Sequence, residues 1–324
     1  MYGQRYFLLS VTLVAAATTP ALAQSASPKV GVGSSDAQSV ASSPDFSGMW
    51  VHPYFPGFEP PASGPGPVVN KKRRRQIFDA DGRFLRANAA STGDPTLLVG
   101  DYSSAILKPG AAEIVKKQGE TELSGGAPTP HNQCWPEGVP FIIGSIVMQV
   151  LQQTDKIIIL YGDQVRHVRM SEQHPAVVTP SWYGDSVGHY EGDTLVIDTV
   201  GVKVGPFAMV DVYGTPHSPA LHVVERYRLV DYESAKDALE RNAKENFRIP
   251  PGIIGFDVEP NNIGKHLQVQ FTVADENVFT VPWSATVTYG RAMGGWVEYV
   301  CAENPHEYYA GRDATVPRAD KPDF

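Results

Sequence analysis

Cysteine is scarce in this chain: there are two, Cys134 and Cys301. Two thiols without clustered partners do not make a four-ligand zinc site. Positive charge is also in deficit, with 27 Lys and Arg against 35 Asp and Glu, a formal charge of −8. The acidic residues are scattered, which favours solubility and argues against nucleic acid as a partner. After the first 23 residues no apolar run is long enough to span a bilayer, so stable membrane insertion is not expected. No phosphate-cradling loop is present, because Gly31-Val32-Gly33 has no strand before it and no helix after it. His167, His174, His189, His217 and His222 crowd into one region, but none shows the helical i, i+4 pairing of a metalloprotease. No metal and no cofactor is therefore expected.

The N-terminus has a recognisable pattern. Arg5, the apolar stretch 7–17 and Ala21-Leu22-Ala23 form an export signal expected to end before Gln24. The expected location is periplasmic or secreted. Residues 24–44 are rich in Ser, Ala and Gly and read as a disordered leader. Residues 45–304 read as a single β-rich domain and 305–324 as a polar tail. In an oxidising compartment the simplest pairing is a Cys134–Cys301 disulfide. The basic run 71–75 reads as the solvated face of a short helix.

The ordered part is turn-rich, with 30 Gly and 27 Pro. Short alternating or β-branched runs recur from Asp45 to Val51, and then from Phe141 to Cys301. These include 141–151, 156–161, 165–170, 195–200, 221–230, 267–273, 278–283, 286–289 and 296–301. Gly162-Asp163 and Glu191-Gly192-Asp193 are hairpin turns. Helical periodicity is confined to 109–120, with Pro109 near its start, and to 232–248. About nine strands with little helix predict an antiparallel, closed or nearly closed β-barrel with one or two peripheral helices; a β-sandwich is the alternative.

The stretch 180–231 concentrates polar groups within apolar alternation. Glu225 shares a face with Leu221, Val223, Tyr227 and Leu229, so it should point inward. A carboxylate there must be paired or have a raised pKa. It is either an acid/base group or half of an ion pair with an arginine such as Arg166 or Arg169. Asp185, His189 and His217 are the other catalytic candidates, the histidines as proton partners. Trp182, Tyr190, Tyr213, His222 and Asp198 are candidate ligand contacts, with loop 203–220 over a barrel mouth. Gly184-Asp185-Ser186-Val187-Gly188 fits G-x-S-x-G, but no helix follows, which excludes the nucleophile elbow of an α/β-hydrolase.

Two resemblances add to this. QCWPEGVPF, PSWYGDSVGHYEGDTLVIDTVG, PHSPALHVVERYRL and EYVCAEN resemble a family of exported proteins of proteobacteria and acidobacteria, over most of 45–304. That likeness implies export and brings no catalytic residue with it. Gly48-Met49-Trp50 is similar to the opening of lipocalin-like (calycin) barrels. There the resemblance implies that the Trp plugs one barrel end and an arginine of the last strand, here Arg291, covers it. The expectation is an exported barrel that binds a small apolar or aromatic molecule. As an enzyme it would transform that molecule by cofactor-independent acid/base chemistry of lyase, isomerase or hydrolase type. The alternatives are a non-catalytic carrier and a cell-envelope interaction protein. Convergence of His189, His217 and Glu225 would favour the enzyme, and a pocket lined only by aromatic and aliphatic groups would favour the carrier.

Overall fold

A computed structural model describes residues 43–55, 57–71, 98–245, 247–248, 257–261, 263–296, 298 and 301. The export signal, nearly all of the leader, basic residues 72–75 and the tail lie outside the described residues. Nine strands close into a barrel. They are β1 (Gly48–Val51), β3 (Val147–Gln152), β4 (Lys156–Tyr161), β5 (Gln164–Met170), β6 (Asp185–Glu191), β7 (Thr194–Val200), β8 (His222–Val230), β11 (His266–Ala274) and β12 (Trp283–Met293). They follow one another in that order around the ring, and β12 pairs back onto β1 through Trp50↔Arg291 and Val51↔Gly290. A short ribbon pairs β2 (Tyr54–Phe55) with β9 (Phe247–Arg248), and β10 (Asp257–Val258) extends the far end of β12. Helices α1 (Pro109–Gly125) and α2 (Tyr232–Glu245) are peripheral.

Every neighbour in the ring is antiparallel except β5 and β6, whose contact is short and parallel (Arg169↔Val187, Met170↔Gly188). Parallel neighbours cannot be joined by a hairpin. Residues 171–184 therefore return along the outside of the barrel as a strap, and that strap positions the site described below.

Alternation decides the interior. Tyr227, Tyr289, Phe271, Trp283, Trp50 and Arg166 are all fully buried and fill it. An eight-stranded barrel is just wide enough for side chains to fill, and here large aromatics and one arginine occupy the extra width of a ninth strand. Where the chain enters, Phe46 is buried and its carbonyl accepts a hydrogen bond from Trp50 Nε1 (3.0 Å). The Arg291 guanidinium lies 4.0 Å from the Trp50 ring and donates to the Ser47 carbonyl (3.0 Å). Gly48 makes this possible: a Cβ there would fall 2.1 Å from Arg291 Nη1. The stacking and the hydrogen bond together make Arg291→Met destabilising by about 1 kcal/mol. Denaturant titration followed by tryptophan fluorescence measures this, and an unchanged midpoint would contradict it.

The opposite end is closed by a 3-10 turn at Phe141–Gly144, by α1 and by loop 201–221. Ile142 and Ile143 are fully buried, and the Tyr289 hydroxyl donates to the Ile143 carbonyl. The run 141–151, read as one strand, is thus a turn followed by β3. Likewise 278–283 is not a strand. Its backbone turns away to bond with 106–108 (Lys108 N–H to the Val278 carbonyl, 2.9 Å; Thr280 N–H to the Ile106 carbonyl, 2.8 Å). The described residues of 296–301 form no strand either. Cys134 and Cys301 are joined as a disulfide.

Candidate functional site

Glu225 does point inward, and its partner is Arg166. Arg166 Nη1 and Nη2 donate to the two Glu225 carboxylate oxygens at 2.9 and 2.6 Å, both side chains being fully buried. Arg166 Nη2 also donates to Thr199 Oγ1 (2.8 Å) and Ser186 Oγ (3.1 Å), and the Tyr227 hydroxyl donates to Glu225 (2.8 Å). Burial works against the charge on Arg166, but Glu225 beside it raises its pKa overall. This fork-on-carboxylate geometry satisfies the pair inside the barrel. Of the two roles open to Glu225, the geometry is that of the ion pair. Ser186 is bound into the same network.

A second cluster lies on the outer face of β6, β7 and β8. Interior positions on β7 are Leu195, Ile197 and Thr199, so Asp198 faces outward, as do Asp185 and His222. The register brings the three into adjacent rows: Asp185 opposes Val200, which opposes His222. His174 of the strap drops onto this row. Its Nδ1 is 2.7 Å from Asp185 Oδ2 and its Nε2 is 3.0 Å from Asp198 Oδ1. His222 Nε2 meets the same Asp198 oxygen at 2.9 Å. Arg169 of β5 grips Asp185 from the other side at 2.7 and 3.2 Å and reaches Glu172 at 2.7 Å. The result is a continuous chain Arg169–Asp185–His174–Asp198–His222.

The electrostatics follow from those contacts. Burial pushes the Asp185 carboxyl up, but the Arg169 and His174 hydrogen bonds outweigh it and leave its pKa below the usual value. At Asp198 burial is likewise overcome, by His222 and then His174. The Asp198 hydrogen bond raises the His222 imidazole. His222 remains 45% exposed, and among the described residues its Nδ1 has no hydrogen-bond partner. A carboxylate orienting one imidazole nitrogen while the other faces solvent is the arrangement of a general base.

The remaining candidates are dispersed. His189 is exposed and meets Glu191 beside the hairpin turn (3.1 Å). His217 is buried, with Nδ1 3.3 Å from the Ser218 carbonyl, and burial lowers its pKa. His189, His217 and Glu225 therefore do not converge. Tyr213 is buried in loop 201–221 against Gly100. Trp182 packs edge-on to Trp135 (5.6 Å) with Lys203 Nζ 4.5 Å from its ring. Tyr190 lies near the opposite end, where it accepts from Gln152 (2.9 Å) beside a recess of about 310 Å³ lined by Ser43, Gln152, Gln153 and Thr154. Trp182, Tyr190 and Tyr213 thus sit in separate surroundings among the described residues. Only Asp185, Asp198 and His222 come together.

Sequence reading missed the groups that join them. From sequence Arg169 stands only as a possible partner for Glu225, and His174 only as one of five histidines, whereas Arg166 is the partner of Glu225 that the alternation allows. Among the described residues no group of three or more His, Cys, Asp or Glu is arranged to hold a metal ion. No family model, no curated protein and no solved structure matches this chain.

Proposed function

We propose that this chain is an exported barrel that binds a small, largely apolar molecule on the outer face of β6–β8, with Asp198–His222 as its acid/base pair. The observation carrying this reading is the His222 imidazole, oriented by Asp198 at 2.9 Å and open to solvent on its other side. Val200 and Val224, both half-buried, share that face and supply its accessible apolar surface, beside the buried Val187 and Val196. The filled interior argues against a carrier that holds its ligand inside the barrel, as a calyx does. Asp198 orients the ring, and His222 Nδ1 takes a proton from, or returns one to, a bound molecule. Asp185 and Arg169 keep a fixed charge pattern beside them.

The test uses p-nitrophenyl acetate, an activated ester that reports imidazole reactivity. Positioned acid/base groups contribute about 10²–10⁴-fold, so His222→Gln should lose at least about tenfold of the rate. Asp198→Asn should shift the pH profile to lower pH, because the carboxylate raising the His222 pKa is gone. Equal rates in the wild type and His222→Gln would sink the acid/base reading.

A further inference from the structure

The strap over this face has few anchors. Backbone bonds tie it at its ends, Ser171 N–H to the Gly188 carbonyl (2.7 Å) and Ser181 N–H to the Gly201 carbonyl (3.1 Å). Among the described residues no backbone N–H between them bonds to the barrel. Val177 is 83% exposed, while Val178 packs against Gly201. Beyond the backbone bonds, Arg169 of β5 holds the start of the strap by donating to the Glu172 carboxylate (2.7 Å) and the Gln173 carbonyl (3.4 Å). The next polar connection to the barrel is His174, with both ring nitrogens on carboxylates of two different strands. A neutral imidazole has one N–H and one lone pair, and only the imidazolium donates from both nitrogens.

We propose that His174 is a proton-operated latch: protonated, it pins strap 171–184 across Asp185 and Asp198, and deprotonated, it releases the strap and leaves Asp198 to the already half-exposed His222. That this face is a working site rests on the function proposed above; the latch itself does not. The logic is one of donor count. When the ring loses its proton, one nitrogen presents a lone pair to a carboxylate oxygen, and a hydrogen bond of 2.7 or 3.0 Å becomes a repulsive contact. The neighbours sharpen this. Asp185 and Asp198 both have lowered pKa values, so neither takes up a proton to rescue the contact. Arg169 is engaged by Asp185 and Glu172, and His222 competes with His174 for the same Asp198 oxygen. Release of His174 leaves that oxygen to His222 alone.

The experiment places a nitroxide on Val177→Cys of the disulfide-intact protein and reads its mobility from pH 5 to pH 9. Mobility should rise with pH in the wild-type background and stay flat in His174→Gln, which lacks the titrating group. His174→Arg, a permanent cation with several donors, should hold the strap closed throughout. A wild-type signal independent of pH, or a His174→Gln signal that still tracks pH, overturns the latch. p-Nitrophenyl acetate hydrolysis at pH 8 provides the second readout, slower in His174→Arg than in wild type. A strap that opens over a face where His222→Gln has no effect would confirm the latch and remove the acid/base reading, so the two failures are separable.

Discussion

Glu225→Gln lowers the unfolding free energy by about 3–5 kcal/mol, because it leaves the Arg166 guanidinium charged and unpaired in the barrel interior. The size follows from burial. Both side chains are fully enclosed, and removing one partner exposes the other to the full desolvation cost instead of merely losing an attraction. Arg166→Met with Glu225 intact should fall in the same range, since it strands a carboxylate near the Tyr227 hydroxyl. The double variant Arg166→Met, Glu225→Leu removes both charges and keeps apolar volume, so it should recover to within about 2 kcal/mol of wild type. Guanidinium titration of the four proteins gives the coupling directly. Near-additive losses, or a single variant close to wild type, would show that water reaches Arg166. The interior would then be a polar cavity and Glu225 a functional group after all. The same experiment therefore tests both stability and the location of the site.

Why Glu225 could be placed but not interpreted lies in the difference between period and register. Alternation along 221–230 puts Glu225 on the inner face without any knowledge of neighbours, while alternation along 165–170 groups Arg166 with Val168 and Met170 without saying which face is inner. Their meeting depends on how β5 through β8 are wound, with 59 residues between them. The outer cluster shows the limit more sharply. Asp198 could be read on either face, because Leu195, Ile197 and Thr199 compete with Val196 and Val200 for the interior. His174 lies where no periodicity exists, and only the return path forced by the parallel β5–β6 contact lays it over Asp185 and Asp198. Continuous apolar runs misled in a different way. A buried turn and a buried strand look alike by composition, so Phe141–Gly144 merged with β3, and Val278 and Phe279 were read as strand when they plug the barrel end. By contrast the Gly48–Trp50 and Arg291 likeness led to a contact that is present, because glycine at 48 clears the space the arginine occupies.

Two buried groups that gave no sequence signal contribute to the pH response in opposite directions. Glu59 is enclosed where residues 57–70 cross outside β12, with Asn242 of α2 donating to it at 2.6 Å. Burial raises its pKa to about 7. A raised carboxyl favours the folded state while protonated, so its contribution is full below the unfolded value near 4.5 and is lost as pH rises through about 7. His52 is fully buried with Nδ1 3.0 Å from the Thr288 carbonyl, and burial lowers its pKa to about 4. Its contribution is present above about 6.5 and is lost as pH falls through about 4. Each shift amounts to about 3 kcal/mol at 1.36 kcal/mol per pKa unit. Over pH 4–7 the two nearly cancel in the wild type, and single variants separate them. Glu59→Gln keeps an acceptor for Asn242 and removes the titration. Relative to wild type it should gain about 3 kcal/mol at pH 8 and little at pH 4. His52→Asn keeps an N–H near the Thr288 carbonyl at a constant packing cost. Its deficit relative to wild type should be largest at pH 8 and shrink by about 3 kcal/mol toward pH 4. Denaturant titrations at pH 4, 6 and 8 distinguish the cases: the Glu59→Gln difference must grow with pH while the His52→Asn deficit shrinks as pH falls. PH-independent differences for both would mean that solvent reaches these two groups and that the loop 57–70 does not seal the outer wall of the barrel.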